Sequence, residues 1–138
     1  MLPGLKPHHI GWAVADLNSA TALFAQLGYE LEPSLPDCHD PNFQVHLRFL
    51  HRPGDPTLIE LIAPAAENSS VSALLKRSGP GPYHLGFRVA EMEPAEAQLR
   101  QLGFMPISPL QPAPALGNRL IRFWRHSSLG LIELILWP

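Results

Sequence analysis

The chain has 138 residues, 46% of them hydrophobic, and a formal net charge of -2 at pH 7. That length suits one domain with a core of its own, and the 10 Lys and Arg are scattered without the basic stripe that a nucleic-acid partner needs. With no apolar run long enough to span a bilayer, no charged-then-apolar leader and only Cys38 as a thiol, the expectation is a soluble, cytoplasmic, disulfide-free protein that handles a small molecule.

From the N-terminus, the first element is a strand over 9–14, with Ile10, Trp12 and Val14 on one face and His9, Gly11 and Ala13 on the other. Asp16 caps a helix in which Leu17, Ala20, Phe24 and Leu27 fall three and four apart before Gly28 stops it. A short strand near Glu30-Leu31 leads into a loop over 33–41, too rich in proline to pair as a strand. An extended segment over 45–50 then turns at Gly54-Asp55-Pro56 into Leu58-Ile59-Glu60-Leu61-Ile62. A linker over 65–81 holds a short helix, 71–76, capped by Ser69 or Ser70.

The second half repeats the first. His9-Ile10-Gly11-Trp12-Ala13-Val14-Ala15-Asp16-Leu17 returns as His84-Leu85-Gly86-Phe87-Arg88-Val89-Ala90-Glu91-Met92, with identical or like residues at eight of nine places. A helix through Met92, Ala95, Leu99 and Leu102 ends at Gly103, which follows His84 by nineteen residues, as Gly28 follows His9. A strand near Met105-Pro106-Ile107, a loop over 109–116, an extended segment over 120–124, a turn at Ser127-Ser128-Leu129-Gly130 and Leu131-Ile132-Glu133-Leu134-Ile135 complete it. The pattern predicts an α+β fold. Two tandem βαβββ modules, about 6–64 and 82–138, form one domain over 1–138, with a curved mixed sheet around a cleft.

Each helix should cover the bulky face of its own strand, which leaves His9 and His84 on the concave face. Strand alternation sends His8 to the helix-facing or edge side. Glu60 and Glu133 lie mid-strand in apolar sequence, where an unpaired carboxylate costs several kcal/mol. His9 and Glu60 are 51 residues apart, and His84 and Glu133 are 49, so neither pair is a local metal motif. The symmetry carries the argument: His9, Glu60, His84 and Glu133, brought together by pseudo-twofold packing, make a divalent metal site. Two imidazoles and two carboxylates suit Zn, Ni, Co or Mn and balance the charge of the ion. Arg48 and Arg122, repeated on the third strands, are candidates for binding a substrate carboxylate or phosphate.

These residues resemble the vicinal oxygen chelate superfamily, whose members build a metal cleft from two such modules. Within it the chain is similar to the methylmalonyl-CoA epimerases, across the two His-x-Gly strands, Ile59-Glu60-Leu61-Ile62-Ala63-Pro64, the 72–81 linker, Gly117-Asn118-Arg119-Leu120-Ile121-Arg122-Phe123 and Leu131-Ile132-Glu133-Leu134. The resemblance implies metal ligands at His9, His84 and Glu133, with a Gln or Glu at the position of Glu60. It also implies proton abstraction alpha to a thioester carbonyl, with Glu133 as one base and the second base at or beside His46. At family level it implies a homodimer. A lactoylglutathione lyase of the glyoxalase I type uses the same ligand set, and a non-catalytic drug-binding protein uses the same fold.

Overall fold

The computed structural model describes residues 2 and 4–138. The first half contributes β1 (Lys6–Ala13), α1 (Leu17–Gln26), β2 (Glu30–Leu31), β3 (Cys38–Asp40), β4 (Val45–Arg52) and β5 (Asp55–Pro64). After α2 (Ser72–Ser78), the second half contributes β6 (Gly81–Val89), α3 (Met92–Gln101), β7 (Met105–Pro106), β8 (Gln111–Ala113), a 3-10 turn at Pro114–Leu116, β9 (Arg119–His126) and β10 (Gly130–Leu136).

The ten strands among the described residues form one curved, open sheet. Its path runs β2-β4-β5-β1-β6-β10-β9-β7, with β3 added beside β4 and β8 beside β9. The two halves meet at the centre, where β1 and β6 run antiparallel; β5 lies parallel to β1, and β10 parallel to β6. The architecture is thus the α+β repeat expected from the sequence, each βαβββ unit carrying one further short strand, β3 or β8.

Local chemistry sets the helices. Asp16 accepts a hydrogen bond from the Ser19 amide (2.8 Å) and starts α1, and Ser69 Oγ accepts one from the Ser72 amide (3.1 Å) at the start of α2. Gly28 and Gly103 stop α1 and α3 with φ of 91° and 92°, a region costly for other residues. Trp12 packs edge-on against Phe24 of α1, with Leu50, Ile59 and Leu61 buried around them. Trp124, Leu99, Ile132 and Leu134 make the matching cluster beneath α3. A third cluster, including Leu47, Phe49, Ile62, Leu116 and Ile121, fills the concave side. At about 1.5–3 kcal/mol per fully buried large apolar side chain, two of these clusters hold the helices to the sheet and the third fills its concave side.

Two expectations are corrected. The proline-rich loops do pair, as β3 and β8. Both strands are short and sit beside one partner, so Pro112, opposite Leu120, gives up no bond that a second neighbour would need. His8 does not turn to the helix-facing side: the β1–β6 ladder shifts register between Pro7 and His9, and the extra residue points inward beside His9, 7% exposed.

Candidate metal centre

The register of the four central strands builds the site. Gly11 of β1 stands between Glu60 of β5 and His84 of β6, while Gly86 of β6 stands between His9 of β1 and Glu133 of β10. Each glycine leaves a gap that the histidine across the ladder fills. A Cβ at Gly11 would overlap the His84 ring, and one at Gly86 would overlap the His9 ring. Neither glycine has a φ in the left-handed region, so the need is for space and not for an unusual backbone.

His9, Glu60, His84 and Glu133 are all buried, and one donor atom from each lies within 4.8 Å of the others. His9 Nε2 is 3.1 Å from His84 Nε2, 3.4 Å from Glu60 Oε1 and 3.0 Å from Glu133 Oε1. His84 Nε2 is 3.6 Å from Glu60 Oε1 and 3.5 Å from Glu133 Oε1. Donors placed about 2.1 Å from a central ion in a tetrahedron stand about 3.4 Å from one another. Buried Glu133 Oε1 faces both imidazole Nε2 atoms. The spacing, the charge balance and the chemistry of this donor set fit a divalent cation, so the group could hold a metal ion.

The electrostatics agree. Burial alone would lower the His9 pKa, but the carboxylates of Glu60 and Glu133 outweigh it and raise it to about 10. Burial alone would raise Glu133, but the imidazoles of His84 and His9 outweigh it and lower it to about 2. Without a metal, a shared proton must offset the two carboxylates.

His8 supports His9 from behind. Its Nδ1 lies 2.8 Å from His9 Nδ1, and burial, with adjacent His9, lowers its pKa to about 4. Neutral His8 can therefore accept from His9 Nδ1–H, the tautomer that frees His9 Nε2 for a metal. Replacing His8 with phenylalanine should weaken divalent-metal affinity about 10- to 100-fold, as read by competition with a chromophoric chelator. An unchanged affinity would show that the His8–His9 contact does not orient the ligand.

The cluster opens onto an apolar cavity of about 440 Å³. Val45, Leu47, Ile62, Leu116, Ile121 and Phe123 form much of its wall, Asp40 and Tyr83 are polar members, and Arg77 and Arg125 are exposed cations on its lining. Burial, then Glu60 and Glu133, push the Tyr83 phenol well above its usual pKa, so it stays a neutral donor.

The other site candidates lie elsewhere. His46 is exposed on β4, whose neighbours Val45 and Leu47 are the residues that face the cavity; alternation turns His46 outward, against His39 (ring centroids 5.2 Å). Arg48, on that same outer face, donates to Asp37 (2.9 and 2.7 Å), Asn18 and Thr21 (both 3.0 Å). Arg122 donates to the Ser108 carbonyl (3.0 Å) and to Glu96 of α3 (3.1 Å). Both guanidiniums fasten helices and loops to the sheet and do not reach the cavity. The sequence reading missed His8, hidden by the bulge, and Asp40, hidden by its flanking prolines. Tyr83 carried a usable signal, since it precedes the repeated histidine.

Among solved structures, methylmalonyl-CoA epimerase from Mycobacterium tuberculosis is 29% identical, with a TM-score of 0.81 over 99% of this chain and 90% of that one. A hypothetical protein from Bacillus halodurans is 23% identical, with a TM-score of 0.82 over 97% and 95%. A variant of methylmalonyl-CoA epimerase from Streptomyces coelicolor, in complex with 2-nitronate-propionyl-CoA, is 24% identical, with a TM-score of 0.77 over 95% and 96%. The latter two carry the fold alone. No curated protein matches the chain. The family model described as Glyoxalase/Bleomycin resistance protein/Dioxygenase superfamily matches residues 8–123, and the chain belongs to that superfamily.

Proposed function

We propose that this protein is a metal-dependent isomerase that moves a proton alpha to a carbonyl, through the enolate of a small acid or its acyl-CoA thioester. The observation that carries the reading is the convergence of His9, Glu60, His84 and Glu133 at the wall of an apolar cavity. When bound, a divalent ion would supply Lewis-acid stabilisation of the negative charge that develops on the carbonyl oxygen. His9 and His84 would hold it by Nε2, and Glu60 and Glu133 by a carboxylate oxygen.

Glu133, kept ionised by its neighbours, is the base assigned to the alpha proton. The apolar wall lowers the local dielectric, which strengthens each electrostatic contact beside it. Similarity to the methylmalonyl-CoA epimerase of Mycobacterium tuberculosis supports the thioester as substrate class. The second reading is isomerisation of a glutathione hemithioacetal, since a donor set with two carboxylates suits an enediolate as well as an enolate.

Protein purified without a metal-binding tag should carry about one divalent ion per chain by mass spectrometry, and Glu60→Ala should lose it on dialysis. The wild type should then turn over methylmalonyl-CoA or the hemithioacetal of methylglyoxal and glutathione. If no metal is retained after incubation with Zn, Ni, Co and Mn, the enzyme reading falls and a binder of apolar molecules takes its place.

A further inference from the structure

We infer that Asp40 is a second acid–base group of this site, working on the substrate face opposite Glu133; the inference rests on the isomerase reading above. Moving a proton from one face of a carbon to the other takes two groups, one to remove it and one to return it. Among the described residues, Asp40 is the one carboxylate that lines the cavity without belonging to the His9, Glu60, His84, Glu133 cluster.

The setting of Asp40 is that of a reactive group. It ends β3, opposite Val45 of β4, so it enters the cavity from the outer half of the sheet, whereas Glu133 enters from β10 on the other side of the centre. It is 3% exposed and forms no ion pair with any described Lys, Arg or His, although a buried carboxylate is usually neutralised by a partner. Its Oδ1 accepts the Asn42 amide (2.9 Å), which fixes the carboxylate in place. Burial raises its pKa, and nearby Glu60 adds to the effect against the Asn42 and Phe43 amides, so the group is a better proton acceptor than a surface aspartate.

In the forward direction an oxygen of Glu133 takes the alpha proton: the O–H bond forms, the C–H bond breaks, and its electron pair passes into the carbonyl. A protonated Asp40 then returns a proton to the opposite face of the carbon. The substrate is inverted with no net oxidation, and the two carboxyls exchange protons with water before the next turnover.

The bland role for Asp40 is the turn it makes with Asn42, and Asp40→Asn separates the two, because the amide oxygen can still accept from the Asn42 N–H. Metal-replete wild type and Asp40→Asn are each given (2R)- and (2S)-methylmalonyl-CoA separately in D2O, and inversion and alpha-deuterium uptake are followed by NMR. The expected result is inversion slowed about 10²- to 10⁴-fold in the variant. Metal content and Tm stay unchanged, and one epimer still exchanges its alpha proton with retention, the mark of a site left with one base. Inversion at the wild-type rate, or loss of exchange from both epimers together with metal, overturns the role of Asp40 alone. No exchange of either epimer by the wild type overturns the isomerase reading on this substrate, and this inference with it.

Discussion

Replacing Gly86 with alanine is expected to strip the protein of its metal, although no donor atom is touched. The added methyl group would occupy the space of the His9 ring. That ring cannot retreat: Phe49, His8 and His84 stand edge-on around it at centroid distances of 5.7, 5.1 and 5.2 Å, and its side chain is 0% exposed. The overlap therefore either swings Nε2 out of the cluster or pushes β1 from β6, where overpacking costs about 1–3 kcal/mol. Loss of affinity should exceed the roughly 10- to 100-fold that follows when only an outer partner of a ligand is changed. Gly11→Ala should do the same through His84, which Tyr83 and Phe123 confine at 4.8 and 5.2 Å. Titration with Zn against a chelator, alongside a thermal melt, reads both effects. Wild-type affinity in either variant would mean that the rings are not held as the geometry requires.

Affinity for a divalent ion is expected to climb about tenfold per pH unit between pH 7 and 10, on the order of a thousandfold overall. The cause is the His9 proton, held to about pH 10 by Glu60 and Glu133 once they outweigh burial, which metal must expel. The sign for the metal-free protein is the reverse. His9 has a raised folded pKa, so its stabilisation is complete below 6.5 and fades as pH rises towards about 10. Glu133 has a lowered one, so its stabilisation is present above 4.5 and fades as pH falls towards about 2. These two groups thus favour the metal-free fold most between 4.5 and 6.5, whereas the metal-loaded fold gains towards alkaline pH. Calorimetry of metal binding in buffers of different ionisation enthalpy counts the proton released at pH 7. A count of zero would show that His9 is not the group holding it.

The repeat made most of this legible. His9 and His84 in matching strands, with Glu60 and Glu133 in matching apolar ones, mark the cluster, because burying four polar groups in register has few other outcomes. What the sequence hid has local causes. Strand alternation assumes an unbroken ladder, and the bulge before His9 breaks it, which turns His8 from bystander to support. Flanking prolines argued against a strand at 38–40, yet an edge pairing spares their missing amides, and that pairing carries Asp40 into the cavity. Arg48 and Arg122 repeat because each ties its own helix to the sheet, so repetition marked architecture there as strongly as it marked chemistry elsewhere. The two glycines in His-x-Gly read as ordinary small residues until the antiparallel β1–β6 ladder set each one across from the other half's histidine.

That central ladder also bears on how the chain reaches its folded state. His9 and His84 lie 75 positions apart along the chain, and their contact forms only when β1 and β6 close a loop through most of the first half. Pairings this distant are entropically late. An ion that needs donors from both halves finds no complete site on a partly assembled chain, so it cannot seed the nucleus. Its grip would be felt on the way out instead, as a brake on unfolding, which makes the loaded protein long-lived without making it quicker to assemble.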